Sequence, residues 1–356
     1  MTDLPFDPQT LPSLITQGYI TSQTHPSLPL TIYNYTAKAQ YDRYWIDATL
    51  HCRGLVLDDN YRPIARPLPK FFNLSEYQGT LPDGVPQIYE KLDGSLIILF
   101  HYKGQWEVAS RGSFASEQSN MARTLLANYR DNLDKLDPAY TYLFEIIYPS
   151  NRIVVDYGSS QRLVLLAAVN TDTGAELDHT QVDWIDRAQT YPATTLPEWL
   201  HSILHGRGSA NEQTQAELSN HEGFILKWSN GFRLKYKLAD YVRLHRIITR
   251  VQAKDIWECL SQNQSLAQFL DSVPDEFYNW VKDTKRSLET QYREIETECQ
   301  QAFKDLGDRR QTAMYFQTQK YPGVLFLMLD GRDYTQVIWK LIKPGFELPF
   351  QGGDRE

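Results

Sequence analysis

The chain has 356 residues, 42% of them hydrophobic and 22% charged, with a net charge of −8. That length and balance describe an ordinary globular protein of two domains, or of one domain with an appendage, and they argue against a surface coated in basic residues. The longest apolar runs, Leu163 to Val169 and Val324 to Leu329, are too short to span a bilayer, so no membrane partner is expected.

In chain order, the N-terminus has no charged stretch followed by an apolar core, and no secretory signal is expected. Strand-like runs dominate to about residue 240, among them Gly54 to Leu57, Ser95 to Tyr102, Trp106 to Ser110, Thr141 to Tyr148, Ile153 to Tyr157, Leu163 to Val169, Gly223 to Trp228 and Phe232 to Leu238. Lys103-Gly104 and Asn230-Gly231 are hairpin signals between adjacent runs. Ser116 to Leu136 reads as a helix, and the polar stretch from Asp172 to Asn220 as surface loops. Helical pattern resumes near Asp240 and continues from Lys254 to Gln317, with interruptions near Pro274 and Gly307. A boundary near residue 250 gives two domains, 1–250 and 251–356. The three cysteines, Cys52, Cys259 and Cys299, are scattered and odd in number, which fits free thiols in a reducing cytoplasm, and no Cys/His cluster has zinc spacing.

The charge is unevenly placed. Between Lys227 and Arg250 there are seven basic residues against one acid, Asp240, a local excess that runs against the global sign and points to an anionic ligand. The run Glu90-Lys91-Leu92-Asp93-Gly94-Ser95-Leu96 sets an amine beside a tight Asp-Gly turn and ahead of an apolar strand. An amine can attack phosphorus and form a P–N bond that is readily broken again. Alone, such a run is equally a solvated lysine before a turn. Five further elements give it context: Arg53-Gly54-Leu55-Val56 with Arg66-Pro67-Leu68-Pro69-Lys70-Phe71-Phe72-Asn73; Ser110-Arg111-Gly112-Ser113; Phe144-Glu145; Glu222-Gly223-Phe224-Ile225-Leu226-Lys227; and Leu234-Lys235-Tyr236-Lys237.

This order and spacing resembles the covalent nucleotidyltransferase superfamily of DNA ligases, RNA ligases and capping enzymes. Within it, the Arg66 to Asn73 block and the Lys-Tyr-Lys run are similar to the T-even phage RNA ligase 1 group, with fungal tRNA ligase as a cousin. The resemblance covers roughly residues 45 to 250. It implies an α+β fold: an antiparallel-rich nucleotidyltransferase (adenylation) domain followed by a small, mostly α-helical one. Lys91 would be the nucleophile. Glu90, Asp93, Gly94 and Arg111 would lie at the nucleotide, with an arginine at position 111 where the phage enzyme has a lysine. Glu222 would be the metal-side carboxylate and Glu145 the ribose contact, Arg53 and Lys70 would hold the outgoing pyrophosphate, and Lys235 and Lys237 the phosphates. A lysine must be deprotonated to attack, and Lys235, Lys237 and Arg111 are the cations expected around it. The alternatives are plain ones: a solvated strand face for Lys235 and Lys237, strand-end acids for Glu145 and Glu222, and turn formation for Asp93.

The activity implied is ATP-dependent joining of RNA ends carrying a 5′-phosphate and a 3′-hydroxyl, with Mg2+ or Mn2+, through lysyl-AMP and RNA-adenylate. A nicked tRNA is the substrate that the resemblance suggests. End-healing would fall to a separate kinase/phosphatase, and the helical domain either recognises RNA or serves as a brace. The competing expectations are a GTP-dependent capping-type enzyme and a nucleic-acid-binding protein with a decayed ligase domain.

Overall fold

The computed structural model describes residues 4–191, 221–238, 252–266, 269–270 and 278–345. The chain divides into two compact units, Met1–Ile248 and Thr249–Glu356. Among the described residues the first contains three sheets. One is antiparallel throughout, in the order β1 (Ile20–Thr24), β2 (Leu30–Tyr35), β3 (Arg53–Asp58), β4 (Pro63–Ala65). The second, also antiparallel, runs β11 (Glu176–Leu177), β10 (Arg162–Asn170), β9 (Tyr140–Ile147), β7 (Ser95–Tyr102), β8 (Gln105–Ser110). The third runs β12 (Thr190–Tyr191), β6 (Gln87–Lys91), β13 (Gly223–Lys227), β14 (Arg233–Lys237), β5 (Phe72–Asn73), with β14 and β5 parallel. The architecture is α+β and antiparallel-rich, as expected.

The β7 sequence is almost continuously apolar because both its faces are covered. Ile97 and Leu99 join Val108, Tyr142, Phe144, Leu165 and the helix Glu117–Leu126 on one side. Ile98 and Phe100 join Leu30, Ile32 and Val56 of the first sheet on the other. Each such side chain contributes roughly 1.5–3 kcal/mol on full burial. The third sheet has its own core of Ile88, Phe224, Leu226, Trp228 and Leu234. These alternate with Lys91, Lys235 and Lys237, so the lysines take the opposite face.

Two local expectations need correction. Ile153–Tyr157 forms no strand: the amides of Val154 and Val155 both donate to Asp93 Oδ2, each at 2.8 Å, and are lost to any ladder. The expected helix Ser116–Leu136 is two shorter ones, Glu117–Leu126 and Arg130–Leu133, joined by a 3-10 turn. At that turn Tyr129 leaves helical backbone, stacks on Trp184 at 4.6 Å and accepts from Leu163 N. Strands β1 and β2 extend the strand-rich region ahead of Gly54 to Leu57. Both hairpin signals join adjacent antiparallel strands, as expected: at Lys103-Gly104 both residues take positive φ, as a type I′ turn requires, and at Asn230-Gly231 only Gly231 does.

The second unit is helical: Ala253–Ser261, Tyr278–Ala302, Arg309–Gln317, Pro322–Leu329 and Thr335–Leu341. Ile295, Cys299, Phe316, Val324, Leu325 and Ile338 form its core. Gly307, at φ 75°, turns the chain, and Asp308 caps the next helix by accepting from Gln311 N at 2.8 Å. The run Val324 to Leu329 lies in a helix of 8 residues, and among the described residues no helix is long and apolar enough to cross a membrane. The expected helical start near Asp240 and the break at Pro274 lie outside the described residues.

Candidate active site

Lys91 ends β6 and stands opposite Gly223 of β13, which stands opposite Lys237 of β14. Gly223 is required there, because a Cβ would lie 2.0 Å from Tyr236 O. Glu222, one residue before the strand, reaches across this narrow passage. Its Oε2 accepts from Lys91 Nζ at 2.6 Å and its Oε1 pairs with Lys237 Nζ at 3.0 Å. Glu222 is 3% exposed. The first partner of Lys91 is therefore an acid, and the cation Lys237 is met through that acid rather than directly.

Glu145 enters from the second sheet, on β9. Its Oε1 accepts from Gly94 N at 3.1 Å. Burial is the main cause that pushes its carboxyl up to about 7; Lys91 and Arg53 oppose the rise, while Glu222 and Asp93 add to it. These charges therefore share one neighbourhood. Gly94 serves a close approach of protein to protein: a Cβ would come 2.5 Å from Ile146 O. Asp93 is buried, and besides holding Val154 and Val155 it donates its own N–H to the Tyr157 hydroxyl at 2.8 Å. It anchors the 154–157 loop beside Lys91. Glu90 takes the face of β6 opposite to Lys91, level with Phe224, and its charge helps raise the Tyr191 and Tyr157 hydroxyls after burial.

Arg53, Lys70 and Arg111 form a second group, set on aromatic rings. Arg53 lies over Phe71 at 5.6 Å and Arg111 over Tyr35 at 5.5 Å. Lys70 is 6% exposed, with its ammonium 5.3 Å from Tyr35, 5.5 Å from Trp45 and 5.8 Å from Phe72. Gly54, at φ 94°, lets β3 pass the Arg111 backbone, where a Cβ would meet Arg111 O at 3.2 Å. Lys235 stands opposite Ile225 and, across the parallel pair, opposite buried Asn73. The Asn73 amide nitrogen donates to Glu76 at 3.1 Å, while its buried Oδ1 has no partner among the described residues.

The basic excess after Lys227 is only partly available to a ligand. Glu176 of β11 pairs with Lys227 at 2.8 Å and also with Arg233. Arg243, Arg246 and Arg250 lie outside the described residues. Sequence reasoning missed Glu176, Tyr35, Trp45 and Tyr157. The aromatic density of Tyr33 to Trp45 was a usable signal for two of them. Nothing local marks Glu176.

An RNA ligase family profile of the T-even phage ligase 1 type matches residues 51–241, more than half of the chain. The chain belongs to this RNA ligase family. It is 22% identical over 385 residues to an RNA ligase of Rhodothermus phage RM378, with 85% of this chain and 86% of that protein covered. It is 28% identical over 232 residues to a protein of Autographa californica nuclear polyhedrosis virus provisionally named a bifunctional polynucleotide kinase/RNA ligase. That match covers 57% of this chain and 32% of the viral protein, so the chain spans about a third of that relative's length. Among solved structures, a provisionally named ATP-dependent DNA ligase from Aquifex aeolicus aligns with a TM-score of 0.48 at 14% identity, over 92% of this chain and 100% of that one.

Proposed function

We propose that this protein is an ATP-dependent RNA ligase that joins a 3′-hydroxyl to a 5′-phosphate. The observation that carries the reading is the Lys91–Glu222 contact of 2.6 Å, made within the segment that matches the family. Lys91 Nζ attacks the α-phosphorus of ATP. The P–N bond forms, pyrophosphate leaves, and the ammonium proton departs through Glu222 Oε2, the acceptor already in contact. AMP then passes to the RNA 5′-phosphate, and the 3′-hydroxyl displaces it. These are displacements in which positioned cations carry much of the stabilisation. Lys235, Lys237 and Arg111 are assigned to phosphates, Arg53 and Lys70 to pyrophosphate, Glu145 to a ribose hydroxyl, and Glu90 and Gly94 to the nucleotide's surroundings. Asp93 acts by fixing the loop behind it.

The donor set suits Mg2+ or Mn2+. Glu222 and Glu145 are hard oxygen donors close enough to interact, and their mutual repulsion in a buried site favours a cation there. Glu222 would hold it, and when bound it would neutralise charge on the phosphates.

RNA with a 5′-phosphate and a 3′-hydroxyl is the assigned partner, with a nicked tRNA as the natural form and a separate kinase/phosphatase healing the ends. The cytoplasm is the assigned compartment, supported by the free Cys52, Cys259 and Cys299. The helical unit is assigned to RNA recognition. Incubation with ATP labelled at the α-phosphate should label the protein, and the label should then move to RNA. GTP should not substitute. Absence of a labelled protein band under Mg2+ and under Mn2+ would overturn the reading.

A further inference from the structure

We propose that Trp45 is a positioning residue for the pyrophosphate side of this site, acting through Lys70. The inference rests on the reading of Lys70 as a pyrophosphate contact. Trp45 lies between the short helices Ala37–Tyr41 and Asp47–His51. Its ring meets Tyr35 edge-on at 5.3 Å and Phe72 edge-on at 5.4 Å. It thus bridges the two other rings that surround the Lys70 ammonium, and it lies 5.5 Å from that ammonium itself. The Lys70 backbone is fixed independently, by donation from its N–H to Leu50 O at 2.7 Å. The Lys70 side chain is long, with several rotatable bonds. Three π faces around one cation restrict it, and indole offers the strongest face of the three ring types. The same wall extends to Arg111, which lies over Tyr35 and donates to its hydroxyl at 3.5 Å. Trp45 therefore aligns Lys70 directly and steadies the ring that carries Arg111.

A pyrophosphate subsite is used in lysyl-AMP formation and in its reversal. In the reversal a pyrophosphate oxygen attacks the AMP phosphorus, the P–N bond breaks, Lys91 Nζ takes a proton and ATP leaves. Sealing of RNA that already carries a 5′-adenylate uses no pyrophosphate. This separates positioning from general support of the fold. Trp45→Leu and Trp45→Met keep apolar bulk but remove the π face. Either should raise the pyrophosphate concentration needed for half-maximal reversal, and the KM for ATP in lysyl-AMP formation, by about tenfold. Sealing of pre-adenylylated RNA should stay within twofold of wild type, which also reports that the variant is folded. Trp45→Phe should recover most of the pyrophosphate response. Equal loss in all three assays, or a phenylalanine variant no better than the leucine one, would reduce Trp45 to packing and overturn the inference. Lys70→Ala distinguishes the two layers. If it leaves the pyrophosphate response unchanged, the assignment of Lys70 fails. If Lys70→Ala loses the response and Trp45→Leu keeps it, the assignment stands and the inference about Trp45 alone is wrong.

Discussion

The hairpin β13–β14 is gripped at both ends by a carboxylate that holds two cations. At one end Glu222 holds Lys91 and Lys237, and at the other Glu176 holds Lys227 and Arg233. The local chemistry is nearly the same, yet the two grips have different surroundings. Glu222 is almost fully buried beside a second acid, Glu145, whose carboxyl is pushed up to about 7 mainly by burial. Two buried acids and the cations Lys91 and Lys237 thus crowd one place, and such a mixed cluster suits a ligand that brings both signs, phosphates with a metal ion. Glu176 has two full positive charges, one from each strand of the hairpin, and its triad is closed. A carboxylate between two cations is therefore ambiguous by itself, and the second acid, Glu145, is what sets the Glu222 grip apart.

The sharpest break in the comparison comes from Lys91→Ala. It should abolish lysyl-AMP formation outright, since no other amine stands in the 90–96 run, while sealing of pre-adenylylated RNA continues. A purified variant that still becomes labelled from ATP would move the nucleophile elsewhere.

Next in size are Lys235→Ala and Lys237→Ala set against Lys227→Ala. The first two remove groups assigned to phosphate, and each should cost about 1.5–3 kcal/mol in the state that makes the contact. At subsaturating ATP that is a fall of ten- to over a hundredfold in the rate of lysyl-AMP formation. Lys227→Ala removes a member of the closed triad and should leave the rate within about threefold. Equal losses across the three variants would erase the functional difference between the two ends of the hairpin.

The sequence makes one end of this comparison more legible than the other. Lys91, Glu222, Lys235 and Lys237 sit in short runs whose composition is unusual, and the strand pairing brings Lys91, Glu222 and Lys237 together although Glu222 is 131 residues from Lys91. The α+β class followed from strand-length apolar runs and then a helical pattern. Glu176 was invisible because its partners are 51 and 57 residues away and no local feature marks a charge pair between strands of different sheets. Ile153–Tyr157 has the composition of a strand, but a single carboxylate, Asp93, outcompetes a ladder for its amides. Side-chain claims on backbone groups of this kind do not show in periodicity.

Glu176→Gln tests the closed end of the hairpin. It leaves two cations facing a neutral amide, and breaking such a largely buried set should destabilise the fold by about 3 kcal/mol. The Tm should fall while lysyl-AMP formation per folded molecule stays within twofold. Loss of lysyl-AMP formation at unchanged Tm would instead make the Glu176 triad part of the active machinery.

The smallest expected effect probes the open end through pH. The folded Glu145 carboxyl titrates near 7 and the unfolded one near 4.5. Between those values the folded protein binds more protons than the unfolded chain, so this group's contribution to stability falls as pH rises and stays low above 7. Glu145→Gln cannot ionise but can still accept from Gly94 N through its amide oxygen. The variant should therefore be more stable than wild type at pH 8, by on the order of 1–2 kcal/mol, and the gain should vanish near pH 4, where both forms are neutral. Lysyl-AMP formation should drop in the same variant, because the charge that burdens the fold is the one assigned to the ribose side of the nucleotide. Thermal unfolding of both proteins at the two pH values is the measurement. A gain of equal size at both would assign it to packing, and the electrostatic contrast between the two ends of the hairpin would lose its physical basis.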